Sequence, residues 1–502
     1  MLQVIEPEKG WTLANYAVDS RLAAPVRTLQ VEASIVVPQL RDRTIWMVNS
    51  TAQGGGVAEM LPRMVALFDE LSLRVKWVVM RTDRPEFFKV TKHLHNLIHG
   101  EGNTELSPQD REVYEFVNRK NAEELAPQVR PDDIVVVHDP QPLAMGAMLK
   151  RQLGVRTVWR CHIGLDEHLP ATRAAWYFLK RWAESYDLAI FSSPEYIPDY
   201  MAGRATIIHP ALDPCSHKNR ELSPYKLTGV LCNGGLKRER HPVITPPFSV
   251  RAQRLRPDGS FAPATDQEEI GLFYRPIITQ ISRWDRLKGF RPLLEGFVRL
   301  KQSLDQPKPE PSSRYRRQIE LARLVLAGPD PASIQDDPEG KEVLEDLCSA
   351  YRSVPPGLQQ DVALIWLPMS SRKENALMVN ALQRCSTVVV QNSLREGFGL
   401  TATEAMWKGV CVVGTRACGL RNQIRNGIDG ILIQDPQDSG EIGRRLDDIL
   451  QEVRKRDYMA RNGQQRVHQE FLVFKQLCDW LRVLSTCAMA QPWRHGSPQE
   501  EG

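Results

Sequence analysis

Glu396 and Glu404 form a Glu-x7-Glu pair in NSLREGFGLTATEAMWKG (392–409), and Gly397-Phe398-Gly399 lies between them. The preceding CSTVVVQ (385–391) reads as a buried strand, and TATEAM reads as the opening of a helix. The glycines therefore sit at a strand-to-helix turn, where an α/β protein holds phosphate. Glycine lets the backbone approach a ligand closely, the first-turn N–H groups point at it, and the helix dipole favours its negative charge. One acid of the pair can meet a sugar ring while the other meets a ribose. The same residues also suit a capped helix with one solvated Glu, and spacing alone does not separate the two.

A second group of candidates lies about a hundred residues earlier. PIITQISRWDRLKGF (276–290) is a strand with Arg283 and Lys288 beyond its carboxyl end. Two cations and a helix N-terminus around one cleft describe a diphosphate site; the alternative is plain surface charge. In the first half, TIWMVNS, the run Ala52 to Gly56 with Gly54, Gly55 and Gly56, and VAEMLPRMVALFDELS read as strand, glycine loop and helix. DIVVVHDPQPLAMGAMLKRQ (133–152) repeats the pattern and puts His138, Asp139 and Gln141 at a strand end. TVWRCHIG (157–164) brings His162 to the same edge. Ligands of open α/β sheets bind beyond the carboxyl ends of the strands, so these residues are candidates for a polar substrate. A structural role in shaping the turns is the competing reading.

The elements that must position these groups follow from periodicity. Strands at RVKWVVM, LAIFSS and ATIIHPAL complete a first doubly wound domain, and LARLVLAG, DVALIWL, VVVQN, VCVVGT and GILIQ build a second. The division expected is a lead-in at 1–42, roughly helical with Pro25 interrupting, a Rossmann-like domain at 43–220, a linker or excursion at 221–275, a second Rossmann-like domain at 276–470, a C-terminal helix at 471–490 and a fraying tail at 491–502. SGEIGRRLDDILQEVRKR reads as one amphipathic helix. In the excursion, Pro257-Asp258-Gly259-Ser260 is a turn sequence that suits a small hairpin.

Composition excludes several classes. With 502 residues, 42% hydrophobic and 25% charged, the chain suits two or three globular domains. A formal net charge of +4 is small for this size and demands no nucleic acid. The nine cysteines are scattered and odd in number, which argues against a disulfide framework or structural zinc. The N-terminus has charges where a signal peptide needs an apolar core, and no apolar run approaches the ~20 residues of a membrane span. The expectation is a cytoplasmic protein without a membrane span; a homodimer is one option left open.

Together these motifs resemble those of retaining GT-B glycosyltransferases, glycosyltransferase family 4. VNSTAQGGGVAEML, EFFKVTKHLHN, HDPQPL, WRCHI, DDPEG (336–340), VNALQR (379–384) and SLREGFGLTATEAMWKG are similar to the branch of trehalose synthases and retaining trehalose phosphorylases. The resemblance implies a GT-B α/β fold, two doubly wound Rossmann-like domains facing a central cleft. It implies transfer of α-glucose from a nucleoside diphosphate-glucose co-substrate to a sugar acceptor, glucose giving trehalose. Arg283 and Lys288 would hold the donor diphosphate, Glu396 the glucosyl hydroxyls, His162 the glucosyl 6-hydroxyl and Glu404 the ribose, with Gly397, Phe398, Gly399, Leu400 and Thr401 at the nucleotide. Gly55 and Gly56 would border the diphosphate and acceptor, and Asp139 and Gln141 would lie on the acceptor side. No metal and no essential cofactor are expected, since Lys and Arg supply the charge. The alternatives are a trehalose phosphorylase and a non-catalytic nucleotide-sugar sensor. Gly164, Asn392 and Ala417-Cys418-Gly419-Leu420 depart from the branch's usual residues.

Overall fold

Runs such as TIWMVN and IVVVH have no apolar–polar alternation, so they are satisfied only in strands covered on both faces. The computed structural model describes residues 2–6, 12–52, 56–238, 248–305, 313–331 and 338–490, and these strands are buried throughout. The chain forms two compact units. One takes the chain up to Pro210 and again from Val473; the other is Ala211–Leu472.

The first unit runs β1 (Gln3–Ile5), α1 (Leu13–Ala17), α2 (Ser20–Leu40), β2 (Thr44–Asn49), α3 (Gly56–Glu70), β3 (Arg74–Val79), α4 (Pro85–Ile98), α5 (Pro108–Leu125), β4 (Ile134–His138), α6 (Leu143–Leu153), β5 (Arg156–Arg160), α7 (Pro170–Ala183), β6 (Leu188–Phe191) and β7 (Ala205–Ile207). Its sheet has the order β1-β3-β2-β4-β5-β6-β7, parallel except for β1. Strand order therefore reverses between β2 and β4. Pro25 does not interrupt the lead-in: α2 runs through both Pro25 and Pro38. Burial of Leu22, Val26, Leu29, Ala33, Val36 and Leu40 outweighs the local cost of the prolines.

The second unit runs α8 (Pro224–Asn233), β8 (Gln253–Leu255), β9 (Phe261–Pro263), β10 (Ile277–Ile281), α9 (Phe290–Gln302), α10 (Ser313–Leu321), β11 (Arg323–Pro329), α11 (Pro338–Arg352), α12 (Pro356–Gln359), β12 (Val362–Leu367), α13 (Arg372–Cys385), β13 (Val388–Gln391), α14 (Leu400–Trp407), β14 (Cys411–Thr415), α15 (Cys418–Gln423), β15 (Ile431–Ile433), α16 (Ser439–Gln451) and α17 (Val453–Glu470). The order β15-β14-β13-β10-β11-β12 is parallel, and it reverses between β10 and β13. The stretch read as an excursion folds onto this sheet. β8 pairs antiparallel with β12 and with β9, across the turn that Asp258 and Gly259 form. Buried Arg254 donates to the carbonyls of Glu268 (2.8 Å) and Val362 (3.3 Å), which ties the hairpin to the sheet edge.

The stretch read as one helix after Ser439 breaks at Glu452 into α16 and α17. After it, α18 (Val473–Met489) packs on α2 of the first unit. Arg482 donates to Glu32 at 2.8 Å and Ser485 Oγ to Gln39 Oε1 at 2.6 Å. Among the described residues no helix is long and apolar enough to cross a membrane.

Candidate functional site

In the second unit the switch point is flanked by the loops that follow β10 and β13. Asp285 caps the first loop by accepting from the Leu287 N–H (2.8 Å), and Gly289 closes it with φ 58°. A Cβ on Gly289 would lie 2.3 Å from the Asn392 carbonyl oxygen, so a glycine is what lets the two loops touch. Gln280 then ties them together, donating to the Lys288 carbonyl at 2.7 Å and accepting from the Asn392 N–H at 2.9 Å. Asn392 Nδ2 donates back to the Gly289 carbonyl at 2.9 Å. The result is that Lys288 Nζ donates to Glu396 Oε2 at 2.7 Å, with side chains only 14% and 13% exposed. Ser393 Oγ (3.0 Å) and Gln391 Nε2 (3.3 Å) donate to the same oxygen. Arg283 is not drawn into this pair. It is 67% exposed and lies 3.7 Å from Asp285.

The turn depends on glycine at its centre. Gly397 has open space where a Cβ would be. Gly399 has φ 85°, and a Cβ there would come within 2.9 Å of Glu396 Cγ and 3.0 Å of Leu420 Cδ2. Phe398 is buried edge-on against Phe471, and the Gly419 N–H donates to the Glu396 carbonyl at 2.9 Å. A Cβ on Gly419 would lie 2.3 Å from Phe398 Cα, so the departure at 417–420 keeps the one glycine the turn requires. Leu400 and Thr401 open α14, where N–H groups lack intrahelical acceptors and the dipole is positive. Glu404 is buried on the same helix, its Oε1 3.7 Å from Lys218 Nζ. Lys408 Nζ donates to the Glu404 carbonyl and to Asn219 Oδ1, each at 3.1 Å. Burial pulls the Lys408 ammonium down to about 7, against the pull of the Glu404 carboxylate.

In the first unit, Gly55 lies outside the described residues and Gly56 is the first residue of α3. Asp139 holds a left-handed φ of 65°, rare for a residue with a side chain. Its N–H donates to the Arg160 carbonyl at 2.8 Å, and its Oδ1 accepts the His162 N–H at 2.8 Å. Gln141 is held by Asn118, whose Nδ2 donates to its carbonyl at 3.1 Å; the Gln141 Oε1 is buried without a hydrogen-bond partner among the described residues. His162 Nε2 lies 3.1 Å from His138 Nδ1, the rings nearly parallel at 13°.

For His138 the structure favours the competing structural reading: it is 1% exposed, and its Nε2 lies 3.4 Å from Met47 Sδ on β2. Because β4 is buried on both faces, its last residue packs on the neighbouring strand. Burial, then the Arg160 charge, pulls the His138 imidazole down to about 3, and the same causes hold His162 well below the usual histidine range. Burial raises Asp139 to about 6, opposed by the His162 N–H and by Arg160. Arg160 is itself buried, donating to Ser192 Oγ at 3.3 Å, and burial lowers it to about 10. Arg160, Met47, Gln391, Ser393, Lys218 and Lys408 were not picked out from the sequence. Gln391 and Ser393 flank Glu396 closely enough to have been found; the others act only through tertiary contacts.

Comparison with known proteins gives the family and the fold. Residues 47–198 match the family model described as trehalose synthase, N-terminal domain, and residues 266–466 match glycosyl transferases group 1. A trehalose synthase of Pyrococcus horikoshii is 32% identical over 449 residues, covering 89% of this chain and 91% of that protein. One from Rubrobacter xylanophilus is 32% identical over 490 residues, 97% and 99% of the two chains. The fold is similar to an α,α-trehalose-phosphate synthase (UDP-forming) of Burkholderia xenovorans, solved with glucose-6-phosphate, at a TM-score of 0.59, 16% identity and coverage of 88% and 100%. With two parallel doubly wound sheets and relatives matched over nearly its whole length, this chain is a glycosyltransferase of the GT-B fold and belongs to the trehalose synthase family.

Proposed function

We propose that the protein transfers α-glucose from a nucleoside diphosphate-glucose to glucose with retention, giving trehalose. The observation that carries this reading is the Lys288–Glu396 pair at 2.7 Å beside the Gly397–Gly399 turn, at the switch point of the second sheet. Breaking the bond between the sugar C1 and the phosphate oxygen develops positive charge on the ring and negative charge on the leaving group. Fixed cations and N–H dipoles at the leaving oxygens stabilise that state more than the ground state. Lys288 and Arg283 take the diphosphate together with the α14 N-terminus, Glu396 takes glucosyl hydroxyls, and Glu404 takes the ribose. His162 meets the glucosyl 6-hydroxyl, and Asp139 and Gln141 serve the acceptor. The acceptor oxygen bonds to C1 on the face the phosphate leaves, and its proton passes to the leaving phosphate oxygen, so no protein nucleophile is needed.

The test is product analysis by NMR with UDP-, ADP- or GDP-glucose and a panel of acceptors, and separately with trehalose and inorganic phosphate. An α,α-1,1-linked disaccharide with release of nucleoside diphosphate supports the reading. Glucose 1-phosphate formed from trehalose and phosphate makes the protein a phosphorylase, and donor binding without turnover makes it a sensor.

A further inference from the structure

We infer that His138 is a positioning residue that fixes the tautomer of His162, so that His162 offers a lone pair on Nδ1, not an N–H, to a sugar hydroxyl. The argument runs through one chain of contacts. A thioether sulfur only accepts hydrogen bonds, so the His138 nitrogen 3.4 Å from Met47 Sδ carries the proton. His138 is buried beside the Arg160 guanidinium and stays neutral, so it has one N–H, and this sits on Nε2. Its Nδ1 is then an acceptor, and the atom 3.1 Å away, His162 Nε2, must donate to it. His162 is neutral for the same reasons, which leaves Nδ1 unprotonated. Its backbone is held as well, by the 2.8 Å bond from its N–H to Asp139 Oδ1. The charged or titratable groups around the pair are Arg160, Asp139 and Cys161; Trp480 also packs against His138, its ring centroid 6.1 Å away.

A fixed acceptor has a consequence for specificity. It binds a hydroxyl that donates and disfavours a group that can only accept. This deepens the proposed function, in which His162 meets the glucosyl 6-hydroxyl, and depends on it for the identity of that hydroxyl.

Two measurements test the inference. The first uses no substrate and so stands or falls independently of the donor assignment: long-range 1H–15N correlation of the intact protein labelled with 15N-histidine. His162 is expected as the Nε2–H tautomer. His138→Asn, whose Oδ1 replaces the accepting nitrogen, should preserve it; His138→Ala and Met47→Leu should mix the tautomers. An Nδ1–H tautomer in the unmutated protein, or an unmixed tautomer in either of the last two variants, overturns the inference. The second measurement compares 6-deoxy with 6-deoxy-6-fluoro glucosyl donors. The unmutated protein should use the fluoro donor on the order of tenfold less well. The ratio should fall in His138→Ala and be restored in His138→Asn. Fluorine's inductive effect is common to all variants, so an unchanged ratio refutes the role.

Discussion

Replacing Lys288 by alanine removes the cation 2.7 Å from Glu396 Oε2, and a double-mutant cycle with Glu396→Gln tells whether that contact works as the geometry says. Two unit charges about 4 Å apart interact by about 4 kcal/mol at an effective dielectric constant of about 20. Solvent at the partly exposed pair, and the Ser393 and Gln391 donors that remain on Glu396, reduce the coupling to about 2 kcal/mol. On the proposed function a fixed cation at the leaving group is then lost, so Lys288→Ala alone should lower turnover on the order of 10²-fold. It also unmasks the Glu396 carboxylate beside a diphosphate. Neutralising that carboxylate in Lys288→Ala should therefore recover roughly 30-fold relative to the product of the two single losses. The assay is steady-state release of nucleoside diphosphate, paired with calorimetric binding of the same nucleotide. Losses that simply multiply, within error, refute the coupling and with it the shared site.

Three further outcomes are expected. Gly399→Ala must place a Cβ at φ 85° and 2.9 Å from Glu396 Cγ, costing about 1–2 kcal/mol and shifting the turn; nucleotide affinity should fall while far-UV circular dichroism is kept. His138, at about 3, lies below its unfolded value of 6.5, so its contribution is present above pH 6.5 and is lost as pH falls toward 3, amounting to about 5 kcal/mol in all. His162 acts in the same sense. Asp139, raised to about 6 from 3.8, acts oppositely, its contribution being present below pH 3.8 and lost as pH rises through 6. His138→Asn should therefore flatten the acid loss of hydrogen-exchange protection in β4, and an unchanged profile counts against the neutral buried histidine. Arg254→Leu leaves the Glu268 and Val362 carbonyls without their donor; it should lower the urea stability of the second unit by about 2 kcal/mol, read from the midpoint, and no shift means the hairpin carries no load.

Much of the candidate site could be read directly from the chain because its signals are local. The strand–glycine–helix order around Gly397 and the cations after Ile281 depend on neighbours within a few residues, and backbone sterics make such patterns dependable. The hairpin turn at 257–260 was readable for the same reason. Its destination was not, because three-residue strands are stabilised only by the edge they join, here β12. His138 illustrates the other limit. In a strand buried on both faces nothing in the alternation says which way the last residue points.

The amino-acid sequence by itself determined that there are two doubly wound α/β halves and that a strand–glycine–helix turn lies at 397–399. Only the tertiary structure decided that Gln280 and Asn392 lock two loops from strands a hundred residues apart, that the C-terminal helix returns to the first unit, and that Met47, His138 and His162 form a chain of contacts. The physical reason is range. Periodicity and turn chemistry act over a few residues, whereas strand pairing and side-chain hydrogen bonds are chosen by global burial, which no local window contains.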